Sequence, residues 1–255
     1  MNQFAGRHAL ITGGGTGIGA AIAIALAEAG AAVTIAGRRK PLLQEVASRV
    51  SLAATVVADV TREDDCAAMV QAAQAAHGPV DIVVANAGMA ESAPIAKMDS
   101  RHWQRAIGVN LTGAFLTVKA ALADVTRDKQ GNGRIVFVAS TAGLKGYPYV
   151  AAYTAAKHGV IGLMRSLSLE LAGKGCTVNA VCPGYTETPL LDASVGNIVA
   201  KTGRSADESR AALARDNPHG RLITPEEVAQ AVLWLCSPSA GSVNGQAIVI
   251  AGGPA

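Results

Sequence analysis

Thr12-Gly13-Gly14-Gly15-Thr16-Gly17-Ile18-Gly19 decides how the rest of this chain is read. It follows the apolar run His8-Ala9-Leu10-Ile11 and leads into Ala20-Ala21-Ile22-Ala23-Ile24-Ala25-Leu26-Ala27. That order predicts strand, tight glycine turn, helix. Glycine lacks a Cβ, so its backbone reaches positive φ and tolerates a close neighbour. A helix starting near Gly17 points unfilled N–H groups and its positive dipole end at whatever lies on the turn. Such an end attracts a diphosphate. Gly13, Gly15, Thr16, Gly17, Ile18 and Gly19 are therefore candidate dinucleotide-binding residues. The competing reading is a glycine-rich surface turn, and the flanking strand and helix count against it.

Working outward, strands and helices alternate. Val33–Ala36, Ala54–Ala58, Asp81–Ala85, Arg134–Ala139, Thr177–Val181 and Ala247–Ile250 read as further strands. Between them, helices are expected from about Pro41 to Val50, from a Thr61 cap to His77, and from Ser100 through Asn110 to about Thr126. Two more are expected over Val150–Leu171 and Pro225–Cys236. Asp128–Gly133 reads as a polar turn. The alternation predicts right-handed crossovers and a single-domain, doubly wound parallel sheet of the Rossmann type spanning 1–255. The weakly periodic, charged stretch 190–217 stands out as a helical lid insertion, with a solvated helix pair as the plainer alternative.

Composition narrows the function classes. Charged residues make up 16% of the 255, and the net charge of +3 is scattered, so no basic stripe for nucleic acid is present. Cys66, Cys176, Cys182 and Cys236 form no C-x-x-C pair and, with the five histidines, no metal-ligand spacing. They read as buried thiols of a reduced, cytoplasmic compartment. No membrane partner is expected. The nearly apolar stretch from Ala20 to Gly37 is broken by Glu28 and Gly30, and it reads as helix plus strand.

Ligands of open parallel sheets bind beyond the carboxyl ends of the strands. The residues expected there are the glycine turn, Gly37 and Arg38, Asp59, Asn86 and Gly88, Ser140, and Pro183, Gly184, Thr186 and Thr188. Tyr153 and Lys157 are four apart on a helix and share a face. An ammonium one turn away is expected to stabilise a phenolate and lower the phenol's pKa from about 10. Ser140 offers a hydrogen bond to a carbonyl or alkoxide oxygen. The Asn110 amide could hold a water that links Lys157 to solvent. Singly, each residue has an ordinary structural explanation: a half-buried tyrosine, a solvated lysine, a capping serine, a helix amide.

Together they resemble the short-chain dehydrogenase/reductase family. Thr12-Gly13-x-x-x-Gly17-Ile18-Gly19, Asn86-Ala87-Gly88, Asn110, Ser140, Tyr153-x-x-x-Lys157 and Pro183-Gly184 follow its signatures in order, over essentially the whole chain. The resemblance implies Asn110, Ser140, Tyr153 and Lys157 as catalytic residues. It implies that Asp59, with neighbouring Val60, contacts adenine, and that Asn86, Ala87 and Gly88 line the adenosine side. It further implies that Thr188, with the backbone near Thr186, holds the nicotinamide carboxamide. Two departures, Ala156 where many members have serine and Ala85 before Asn86, remove no catalytic group. Thr177–Pro189, Gly220-Arg221, Pro225–Val228 and Gly252-Gly253 look like bacterial 3-oxoacyl-thioester reductases and polyketide ketoreductases, which are usually tetramers.

The implied activity is hydride transfer between a nicotinamide cofactor and a carbonyl or secondary alcohol, foremost a 3-oxoacyl or 3-hydroxyacyl thioester such as an acyl-CoA. A free ketone, cyclic alcohol, sugar or steroid is the alternative. A non-catalytic dinucleotide sensor is the remote one. For the cofactor, no Asp or Glu occurs between Glu28 and Glu45, and Gly37 stands where an acid would bind the ribose hydroxyls of NAD. Arg38 and Arg39 follow directly, and a guanidinium forks onto a phosphate. NADP is thus favoured, with NAD as the alternative.

Overall fold

The computed structural model describes residues 2–128 and 131–254. Seven strands form one parallel sheet: β1 His8–Thr12, β2 Ala32–Gly37, β3 Ala53–Val57, β4 Ile82–Ala85, β5 Gly133–Val138, β6 Cys176–Pro183 and β7 Ala247–Ile250. Their spatial order is β3-β2-β1-β4-β5-β6-β7. The order reverses between β1 and β4, paired in the register Ala9 to Ile82, Leu10 to Val83 and Ile11 to Val84. That reversal opens a crevice at the carboxyl ends of the strands.

Nine α-helices accompany the sheet among the described residues: α1 Gly17–Glu28, α2 Lys40–Ala47, α3 Glu63–His77, α4 Ser100–Ile107, α5 Gly113–Val125, α6 Ala151–Leu171, α7 Pro189–Thr202, α8 Ala206–Arg215 and α9 Pro225–Cys236. The central strands are apolar on both faces because helices cover both. Alternate residues serve two separate cores. Leu10, Val83, Ile135, Phe137 and Val178 pack with Met69 of α3, Val118 of α5 and Met164 of α6. Ala9, Ile11, Val33, Ile35, Val84 and Val136 pack with Ile22 and Leu26 of α1, Leu43 of α2 and Val232 of α9. Burying one such side chain contributes about 1.5–3 kcal/mol. The α4–α5 run, Ser100–Val125, is long and apolar enough by composition to cross a membrane. Ala114, Leu116, Val118, Ala121 and Val125 bury in the first core, which accounts for that composition.

Three expectations need adjusting. Thr61 does not cap α3: Arg62 holds that position, and the Thr61 hydroxyl instead donates to Asp59 Oδ1 at 2.8 Å. The Ser100–Thr126 helix is interrupted by a π-helical turn at Gly108–Thr112, which carries Asn110. The 190–217 stretch is two helices, α7 and α8, on a small core of their own made by Leu191, Val195 and Leu222. Of the polar turn expected over Asp128–Gly133, Lys129 and Gln130 lie outside the described residues.

Candidate functional site

A cleft of about 790 Å³ lies at the carboxyl ends of the strands. Every residue that sequence reasoning put forward lines it: Gly13 and the turn from Gly15 through Gly19, Gly37, Arg38 and Arg39, Asp59 and Val60, Asn86–Gly88, Asn110, Ser140, Tyr153, Lys157, Pro183, Gly184, Thr186 and Thr188. The sequence separations are large, so only the sheet brings these groups together.

At one end, the turn after β1 is a cradle. Gly13 and Gly17 have φ of +67° and +53°, a region that disfavours other residues. A Cβ on Gly13 would lie 2.8 Å from Asn86 Nδ2, and one on Gly17 would lie 3.0 Å from Thr188 Cγ2. The first turn of α1 carries no acid, and Thr16 makes no side-chain cap, so the helix end is left for an anion. These residues fit a diphosphate. The turn is held from behind by two groups. Asn86 Nδ2 donates to Thr12 O at 2.8 Å and Gly13 O at 3.2 Å. Thr12 Oγ1 accepts from the backbone N–H of Asn86 and of Ala87, each at 3.2 Å. Asn86 thus braces the turn, beyond the lining role expected of it.

After β2, a Cβ on Gly37 would meet only Leu43 Cδ2, at an ordinary 3.6 Å, and Arg38 and Arg39 are exposed with no carboxylate in ion-pair distance among the described residues. The Asp59 carboxylate accepts from the Thr61 backbone at 3.0 Å, which with the hydroxyl bond and nearby Arg38 holds it below the usual carboxylate range. It stays ionised but is turned onto its own loop.

At the other end, Ser140 follows β5, and its Oγ accepts from Ala142 N at 3.1 Å. Lys157 is buried, and its Nζ donates to Val138 O at 2.7 Å, lying 5.6 Å from the Tyr153 ring centroid. Burial pulls the Lys157 amine down to about 8. Burial also raises the Tyr153 phenol above its ordinary value, against a lowering hydrogen bond from Ser140. In the protein alone, desolvation outweighs the Ser140 hydrogen bond, so the phenol is raised rather than lowered as expected.

The Asn110 amide is likewise committed to the backbone. Its Oδ1 accepts from Met89 N at 3.1 Å, and its Nδ2 donates to Met89 O and Ala106 O, both at 2.9 Å. The side chain stitches the loop after β4 to the helix, which uses both amide N–H groups and leaves only the second lone pair of Oδ1 for the expected water link. The π-helical turn on which Asn110 sits is a feature that clusters at functional sites. Thr188 Oγ1 caps α7, accepting from Leu191 N at 3.3 Å and donating to Thr186 O at 3.2 Å.

Sequence reasoning missed several groups. Asn217 clamps the turn after β6, accepting from Tyr185 N at 3.0 Å and donating to Tyr185 O at 2.9 Å. Tyr147 and Tyr149, neither of which has a lysine four residues on, line the cleft with Tyr185. Nothing local marks Asn217. The tyrosines lie in or beside the loops that surround the cleft.

Comparison with known proteins gives consistent matches. A family model described as Enoyl-(Acyl carrier protein) reductase matches residues 13–254. Cis-4-hydroxycyclohexanecarboxylate dehydrogenase of Sinomonas cyclohexanicum is 42% identical over 254 residues, covering 98% of this chain and 97% of the relative. The crystal structure of a single-substitution variant of actinorhodin polyketide ketoreductase with NADPH superposes with a TM-score of 0.92 at 36% identity, covering 98% of this chain and 97% of that one. That of 3-ketoacyl-(acyl-carrier-protein) reductase from Brucella melitensis with NADH gives 0.88 at 32% identity, covering 98% of each.

Proposed function

The chain belongs to the short-chain dehydrogenase/reductase family, a short-chain oxidoreductase, and from that premise we propose that it interconverts a ketone and a secondary alcohol using NADP in preference to NAD. The observation that carries the reading is the convergence of Ser140, Tyr153 and Lys157 on the end of the cleft away from Arg38. When bound, the nicotinamide ring supplies or accepts the hydride. Ser140 Oγ hydrogen-bonds the substrate oxygen and orients it. The Tyr153 hydroxyl gives its proton to that oxygen in reduction and takes one back in oxidation. Lys157, buried beside the ring, supplies positive charge that favours the phenolate left behind. Asn110 acts by fixing the Met89 loop against the helix.

At the adenosine end, the Gly13–Gly19 turn and the α1 N-terminus would hold the diphosphate. Arg38, without an acid beside it on β2, would fork onto a 2′-phosphate. Val60, Ala87, Gly88, Pro183, Gly184, Thr186 and Thr188 would line the dinucleotide between these ends. NAD remains the alternative, since relatives of this fold are solved with NADPH and with NADH. The substrate is a small carbonyl or alcohol compound, either a 3-oxoacyl thioester, as the ketoreductase relatives favour, or a cyclic compound, as the cyclohexane relative favours. We also place the chain in the cytoplasm as a homotetramer. Trp103, Phe115, Leu169 and Trp234 are exposed on α4, α5, α6 and α9 and give apolar surface for subunit contact.

The test is NADPH oxidation on a panel of ketones and thioesters with wild type and Tyr153→Phe. The variant should lose about 10²-fold or more in kcat while binding NADPH as wild type does. Near-full activity of the variant on the best substrate would refute the assignment.

A further inference from the structure

Nine aromatic residues serve the whole chain, two Trp, four Tyr and three Phe. All four tyrosines, Tyr147, Tyr149, Tyr153 and Tyr185, line this cleft. Tyr147 and Tyr185 meet edge to face, with ring centroids 6.1 Å apart and planes at 86°. The Tyr147 hydroxyl is pinned to Thr141 Oγ1 at 2.8 Å, so this wall is stiff. Tyr149 is held at φ +68°, a left-handed conformation unusual for an aromatic residue, and its carbonyl accepts from Ala93 N at 2.8 Å. Backbone strain of this kind clusters at ligand sites. A flexible acyl chain needs only aliphatic walls, whereas flat, fixed aromatic faces match a ring.

The second observation is charge. Of the four cations in the 190–217 stretch, Arg210 pairs with Asp192, and Arg204 and Arg215 stand away from the cleft. Lys201 alone of the four lines it, and its Nζ donates to Ser92 O at 3.2 Å. No carboxylate among the described residues is within ion-pair distance of Lys201. Of the acids on the cleft wall, Glu91 is neutralised by Arg105 at 2.9 Å and faces His102 at 3.6 Å. Asp216 is exposed at the end of α8, and Asp59 belongs to the adenosine end. One uncompensated ammonium suits one carboxylate. The several phosphates of a CoA thioester would call for more.

Resting on the oxidoreductase reading above, we propose that the substrate is a compact cyclic ketone or secondary alcohol bearing a carboxylate. Its ring lies against Tyr147, Tyr149 and Tyr185, its carbonyl reaches Ser140 and Tyr153, and Lys201 anchors its carboxylate at the mouth.

The experiment measures kcat and KM with NADPH for 4-oxocyclohexanecarboxylate, its neutral analogue 4-methylcyclohexanone, and acetoacetyl-CoA. Wild type, Lys201→Met and Lys201→Arg are compared. Wild type should prefer the keto acid. In Lys201→Met the kcat/KM ratio of keto acid to neutral ketone should fall about fivefold, the upper end for an exposed ion pair. The fall should lie in KM and shrink as salt is raised. Lys201→Arg should keep the ratio. A ratio that Lys201→Met leaves unmoved would mean that Lys201 only braces Ser92, and would overturn the proposal. So would fast turnover of acetoacetyl-CoA with slow turnover of both rings. Bound NADPH with no turnover of any of the three would overturn this proposal while leaving the oxidoreductase reading standing; that reading falls only if the wider panel of ketones, sugars, steroids and thioesters is also inert.

Discussion

Asn86→Ala tests whether the cofactor turn is built by the side chain behind it. The amide makes two hydrogen bonds to backbone carbonyls, at 2.8 Å to Thr12 and 3.2 Å to Gly13. A neutral hydrogen bond contributes about 1 kcal/mol net, and leaving its half-buried partner unsatisfied adds to the loss. The bonds from Asn86 N and Ala87 N to Thr12 Oγ1 involve backbone groups and survive the change. The loss should therefore be about 2–3 kcal/mol. In a chain of this size each kcal/mol moves the melting temperature by roughly 2–4 °C. Thermal unfolding of the cofactor-free protein should fall by about 5–10 °C on that scale. NADPH affinity, read by fluorescence titration, should weaken about tenfold or more, because binding must then order the turn. Asn86→Asp should be worse than alanine, since it sets a carboxylate against two carbonyl oxygens. An unchanged melting temperature with NADPH binding lost would refute the brace. It would mean that Asn86 acts by touching the dinucleotide.

Arg38→Ala should raise KM for NADPH by about tenfold, the scale of a lost charge-assisted hydrogen bond, and leave NADH within about twofold. Gly37→Asp should shift kcat/KM towards NADH, by repelling the 2′-phosphate and by offering an acceptor to the ribose; a wild type that prefers NADH would contradict both expectations. Lys157 titrates near 8 when folded and near its ordinary 10.5 when unfolded. Between those values the unfolded chain holds more protons, so this group's contribution to stability rises with pH through that window. Melting temperatures of wild type minus those of Lys157→Met should accordingly climb as pH rises through that window, and a flat difference would show that the amine is not desolvated as described.

The alternation of buried strands with helices, the glycine turn and the Tyr153/Lys157 spacing were legible because each is a short-range pattern. Positive φ at Gly13 and Gly17 follows from local chemistry, and a shared helix face follows from a spacing of four. That the strands' carboxyl ends share one edge follows from parallel crossover connections, whereas their spatial order is seen only in the structure. Which polar groups meet across long loops is a different matter. Asn86 reaches Thr12 across 74 residues, Asn217 reaches Tyr185 across 32, and Lys201 reaches Ser92 across 109. Those distances are set by how helices seat on the sheet, and no local periodicity encodes them. The same holds for charge. Lys201 and Arg210 look alike in the sequence, yet only packing gives Arg210 a carboxylate and leaves Lys201 facing the cleft. The raised Tyr153 phenol is likewise a property of burial, and burial is decided by the tertiary structure, not by the residue four places along the helix.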